Sequence, residues 1–147
     1  MKINITKKEY SLLIDMLCIA NWVMHAHAMG EDQHSIAHEI FIKKMMSFHN
    51  EMDANDKIMF SNELDDYFET GEYEEYIHEK FIEPYEDDFF WDELIERLAE
   101  RDLINEVGEK QLVGMDFVEK MTRLEAIKEL YQDEFSENGL KYLKIAM

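Results

Sequence analysis

Five glycines and one proline in 147 residues leave this chain few places to turn tightly, so long helices are the arrangement it most readily adopts. Thr6 followed by Glu9 offers a capping box, after which Tyr10 to Met29 is apolar on nearly every face until Gly30 stops it. A helix apolar all round is normally the buried centre of a bundle. Ile36, Ala37, Ile40, Phe41, Met45 and Phe48 then recur at the spacing of one helical face, which predicts a second helix packed on the first.

Further along, Asn55 or Asp56 can cap a shorter helix around Lys57–Phe68, and Gly71 marks a break. A helix from Glu72 to about Glu83 would carry Tyr73, Ile77 and Phe81 on one stripe, with Pro84 ending or kinking it because proline lacks the N–H. The next helix, over 88–104, has Asp88 as its cap, an apolar face of Trp91, Leu94, Ile95, Leu98 and Ala99, and Glu93 four residues before Arg97. A last helix begins at Asp116 or Thr122, keeps a stripe from Phe117 through Met121, Leu124, Ile127 and Tyr131 to Phe135, and stops at Asn138-Gly139. The two ends, Lys2–Ile5 and Leu140–Ala146, are β-compatible and are candidates for a small ribbon.

The expected fold is therefore all-α: one domain over residues 1–147, a compact bundle of about six helices around the apolar N-terminal helix, with that ribbon at the ends. Leu13, Leu17, Trp22, Phe41, Trp91, Leu94, Leu98, Leu124 and Ile127 are expected to meet in one core.

Charge narrows the classes of partner. The chain carries 34 acidic against 15 basic side chains, a net −19, which argues against direct binding to nucleic acid or an anionic membrane, since both need Lys and Arg to neutralise phosphates. The imbalance is uneven: residues 51–100 hold 19 acidic and 3 basic side chains, together with ten of the eighteen aromatics. One reading makes these carboxylates the solvated face of helices whose aromatics form the core. The other makes the Glu63–Glu93 stretch, with 14 carboxylates and one lysine, a docking face for a basic protein partner, with Glu72, Glu74, Glu75, Glu79 and Glu83 as its contact residues.

A single cysteine cannot form an internal disulfide, so the chain reads as a cytoplasmic protein of a reducing compartment. Lys2, Lys7 and Lys8 before Leu12–Ala20, followed by Ala26-His27-Ala28, imitate a secretory leader. Asp15 interrupts the apolar run, Trp22, His25 and His27 crowd the supposed cleavage site, and the run falls short of the ~20 residues that span a membrane. A core helix is the better reading.

Little in the sequence points to catalysis. No Gly-rich phosphate loop, G-x-S-x-G elbow, H-E-x-x-H pair or EF-hand loop occurs, and Cys18 lies in the most apolar helix, where a thiol is normally inert packing. Asp15 reads either as the exposed edge of that helix or as a functional carboxyl of raised pKa. His34 and His38, four apart, project from one helical face at the spacing that supplies two ligands to a first-row metal. With His25, His27, Asp32 or Glu39 they would complete a zinc, nickel or iron site, the alternative to a non-catalytic acidic interaction protein. The pairs Glu31/His34 and Glu75/His78 add nothing, because 22 glutamates and six histidines produce such spacings by accident.

The run from Phe90-Trp91-Asp92-Glu93-Leu94 to Arg101-Asp102, preceded by the acidic stretch from Glu72, resembles a segment of small acidic bacterial proteins of no established function. The resemblance covers residues 72–102, implies a bacterial or phage-like cytoplasmic origin and transfers no catalytic residue.

Overall fold

A computed structural model describes residues 2–26 and 33–144, with side chains from Ile36 onward in the second stretch. The chain is mostly helical and divides into two compact units, Met1–Tyr85 and Glu86–Met147. Among the described residues no helix is long and apolar enough to cross a membrane.

The first unit opens with α1 (Lys7–His25), started by the expected capping box: the Glu9 amide donates to Thr6 Oγ1 at 3.2 Å and the Thr6 amide donates to Glu9 Oε2 at 2.8 Å. The Thr6 amide and the Thr6 hydroxyl, both donating to Glu9 Oε2, hold the Glu9 carboxyl below its usual range. Tyr10, Ile14 and Cys18 are buried at four-residue intervals, and Leu17, Ile19 and Trp22 pack beside them. The helix is not enclosed as its composition suggests, because Leu12, Met16 and Val23 are exposed. Gly30, the expected stop, lies outside the described residues.

The second helix, α2 (Gln33–Met46), packs on α1 as expected, but through a different face. Ile42 and Met46 are buried and Met45 half-buried, whereas Ile36, Ile40, Phe41 and Phe48 are exposed. Apolar residues occupy more than one side of this helix, so spacing alone selects no unique face. The Tyr10 hydroxyl donates to Met45 O at 2.6 Å and ties the two helices together. His49 is buried just beyond α2, its Nδ1 3.1 Å from Met46 O and its ring edge-on to Tyr67.

Where the pattern predicts a helix over 57–68, the chain forms an antiparallel hairpin of β1 (Ile58–Ser61) and β2 (Asp66–Glu69). Ile58 pairs with Glu69, Met59 with Phe68, Phe60 with Tyr67 and Ser61 with Asp66. The reversal is made at 62–65, where Asp65 takes φ +51, a left-handed conformation that aspartate tolerates better than most side chains. β-Branched Ile58 and the aromatic Phe60, Tyr67 and Phe68 favour the pleated form. Neither chain end contributes a strand among the described residues: Lys2–Ile5 is irregular and 139–142 is turn.

Thr70 caps α3 (Gly71–Ile77), which runs directly into a π-helical turn (His78–Ile82) and then α4 (Glu83–Val107). Pro84 does not end a helix. The chain stays helical through it from Gly71 to Val107, and the π-turn, the irregularity in that stretch, lies directly upstream of the proline. The wider turn also resets the stripe. Tyr73 and Ile77 are buried as expected, but Ile82 follows them into the core and Phe81 is left exposed.

The second unit contains the rest of α4, a short α5 (Glu109–Gly114) and α6 (Phe117–Asn138). Asp88 is interior to α4 and caps nothing, while the Glu93–Arg97 pair forms at 2.8 Å. Asp116 caps α6, accepting from the amides of Val118 and Glu119, and Gly139 closes it at φ +55. Ala99, Leu103 and Leu124 are the buried cluster, with Val107, Leu112 and Ile127 against them. Residues expected to share one core are thus divided: Leu17 and Trp22 belong to the first unit's cluster, Leu124 and Ile127 to the second's. Trp91, Leu94 and Leu98 are only half-buried, because the face of α4 that turns inward is Ile95, Ala99 and Leu103.

Candidate functional site

Asp15, the polar interruption of α1, is neither an exposed edge nor a solitary carboxyl. Its Oδ1 accepts from Lys57 Nζ and from the Tyr73 hydroxyl, each at 2.6 Å, and Lys57 also donates to Ser11 O at 3.2 Å. The Asp15 and Lys57 side chains are 18% and 15% exposed, so the pair is largely removed from water. The Cys18 thiol and the Glu69 carboxylate lie beside Tyr73 and extend this polar group. Four parts of the first unit contribute to it: α1, the turn residue Lys57 just before β1, the end of β2, and α3.

Burial, reinforced by the neighbouring Glu69 carboxylate, holds the Cys18 thiol well above its ordinary range, which suits packing rather than nucleophilic attack. Burial followed by the hydrogen bond to Asp15 raises Tyr73, and burial pushes Tyr10 up to about 12. These groups are held neutral in the fold but ionise freely once unfolded, from their ordinary values of 9.0 for the thiol and 10.0 for the phenols. Their stabilising contribution is complete below those values and is lost as pH rises beyond them, for Tyr10 through about 12. Urea midpoints should therefore fall steadily between about pH 8 and about pH 11, and Tyr10→Phe should make the decline shallower. Equal midpoints at the two pH values would contradict the burial of these groups.

Beside the polar group lies a groove of about 430 Å³ lined by Cys18, Asn21, Trp22, His25, Ala26, Glu69, Glu74, Ile77, His78 and Ile82. A second, of about 320 Å³, shares Asn21, His25 and Glu69 and is walled by residues of α2 and β2 that include Lys43 and Phe68. His25 Nδ1 sits 2.8 Å from Asn21 O, an acceptor only, so Nδ1 carries a proton and donates it there. Asn21 Oδ1 is buried and accepts no hydrogen bond among the described residues.

The five glutamates selected from the sequence do not act as one group. Glu72, Glu75, Glu79 and Glu83 are exposed and follow one another at three- and four-residue steps through α3 and the π-turn to the start of α4. Glu74 turns toward the larger groove. None of the five forms an ion pair among the described residues, in contrast to Asp66, held by Lys43 at 3.0 Å, and Glu93, held by Arg97. The one lysine of the acidic stretch is already engaged. Lys80 Nζ donates to the Tyr76 hydroxyl at 2.6 Å and lies 4.9 Å and 5.2 Å from the ring centres of Tyr76 and Phe81, both exposed.

His27 and Asp32 lie outside the described residues, as does the His34 side chain; His38 and Glu39 are exposed, and His25 lines both grooves. Among the described residues no three His, Cys, Asp or Glu side chains gather as a metal site. Sequence reasoning missed Asn21, Lys57, Glu69 and Tyr73. A signal existed on α1, where Asp15, Cys18, Asn21, Trp22 and His25 recur at steps of three and four along an otherwise apolar helix. No family model, curated protein or solved structure matches the chain.

Proposed function

We propose that this protein is a non-catalytic interaction protein that docks a basic protein partner through the acidic stretch beginning at Glu63, with its centre on Glu72, Glu75, Glu79 and Glu83. The observation that carries the reading is that these exposed carboxylates have no ion partner among the described residues and flank two exposed rings, Tyr76 and Phe81, that already hold an ammonium group. Carboxylates attract a basic surface over distance, and aromatic faces accept Lys or Arg at contact. Like charges crowded on one surface repel, and a basic partner relieves that repulsion.

The test is affinity purification from the native cell at low and high salt, with the parent and with a variant in which Glu72, Glu74, Glu75, Glu79 and Glu83 are changed to Gln. A basic protein should be retained by the parent at low salt, elute at high salt and be absent with the variant. An equal number of substitutions among exposed carboxylates of α6 should leave it retained. Recovery of the same proteins with all three forms would reduce the acidic stretch to a solvated surface.

A further inference from the structure

The two formally charged side chains that line the larger groove, Glu69 and Glu74, are both acidic. Both bring carboxylates to the wall, and Asn21 Oδ1 is a buried acceptor without a donor among the described residues. Among the described residues no Lys or Arg lines this groove, whereas Lys43 in its neighbour is held by Asp66 and by Tyr67 O. An occupant that satisfied these groups would have to supply N–H donors and positive charge. The rest of the lining, Trp22, Ala26, Ile77 and Ile82, suits methylenes, and the Trp22 ring can face a cation. A volume of about 430 Å³ lies within the range of small-molecule sites.

We propose that this groove binds an aliphatic primary ammonium, an alkyl chain ending in –NH₃⁺, with free di- and polyamines as its occupants. The ammonium is placed between Glu69 and Glu74, and the chain lies against Trp22 and Ile77. The π-turn builds one wall, contributing His78 and Ile82 from its two ends, and such turns recur at binding sites. The site is distinct from the docking stripe, since Glu74 lines the groove and Glu75 does not.

That neighbouring pair supplies the test. Putrescine and spermidine, and separately an acetylated lysine amide, are titrated calorimetrically into the parent, Glu74→Gln and Glu75→Gln at about 150 mM salt, where diffuse attraction is screened. Both variants lose one charge at an exposed position, so circular dichroism should show each folded. One saturable site is expected in the parent, bound about tenfold more weakly by Glu74→Gln and within about twofold of the parent by Glu75→Gln. Tighter binding of the polyamines than of the lysine amide identifies a free amine as the occupant, and the reverse assigns the groove to a lysine side chain. Absence of saturable binding by all three probes, or equal weakening by the two substitutions, would overturn the proposal. Because Glu75 serves only the docking stripe, loss of partner capture with intact amine binding separates failure of one reading from failure of the other.

Discussion

Lys57→Met is expected to lower stability by about 3 kcal/mol, the scale of a buried ion pair broken from one side. The ammonium it removes is a donor to Asp15 Oδ1 and to Ser11 O, and Asp15 is left with the Tyr73 hydroxyl as its side-chain donor in a site only 18% exposed. The loss arises mainly from the stranded carboxylate. Replacing both charges, Asp15→Leu with Lys57→Met, should therefore cost less than Lys57→Met alone, because no charge is left behind. Denaturant unfolding of the parent, both single variants and the double variant measures this directly. A loss under about 1 kcal/mol for Lys57→Met would mean that water reaches the pair and screens it as at a surface.

In the second unit the largest effect is expected from Leu103→Ala, at about 2–5 kcal/mol, the usual range for truncating an enclosed leucine. Leu103 is 1% exposed and touches the cluster of Ala99 and Leu124, so the vacated space is lined by side chains that α4 and α6 hold in place. Leu98, on the flank of the same helix, is half-buried and should cost less when cut to Ala. If Leu98→Ala proved the more damaging, the inward face of α4 would be rotated from the one described.

How much of this was legible in the residues depends on how local the signal is. Three caps were: Thr6 with Glu9, Asp116 rather than Thr122, and Gly139 each satisfy or release backbone groups within a few positions, whereas Asp88 lies inside α4 and caps nothing. Helix faces were harder where apolar residues exceed one stripe, as on α2, because tertiary packing then chooses among sides that the spacing treats alike. The hairpin was missed because its turn uses Asp65 rather than an Asn-Gly or Asp-Gly pair, and its strands are too short to show a clear alternation. The π-turn has no recognised sequence signal, yet it decides that Ile82 and not Phe81 enters the core. The polar group from Lys57 to Glu69 joins residues far apart in sequence. Only its α1 members betray a pattern, and assembling the rest required the fold.

The acidic stripe was legible as composition, and its reading as a docking surface is open to one decisive measurement. The partner recovered by affinity purification is mixed with the parent and with the five-glutamine variant in a stopped-flow instrument, and the association rate constant is followed as ionic strength rises. The parent's rate should fall steeply with salt, since exposed charges farther apart than about 8 Å are screened at physiological ionic strength, while the variant should start slower and respond less. Equal rates for parent and variant, unchanged by salt, would contradict a docking role for Glu72, Glu75, Glu79 and Glu83.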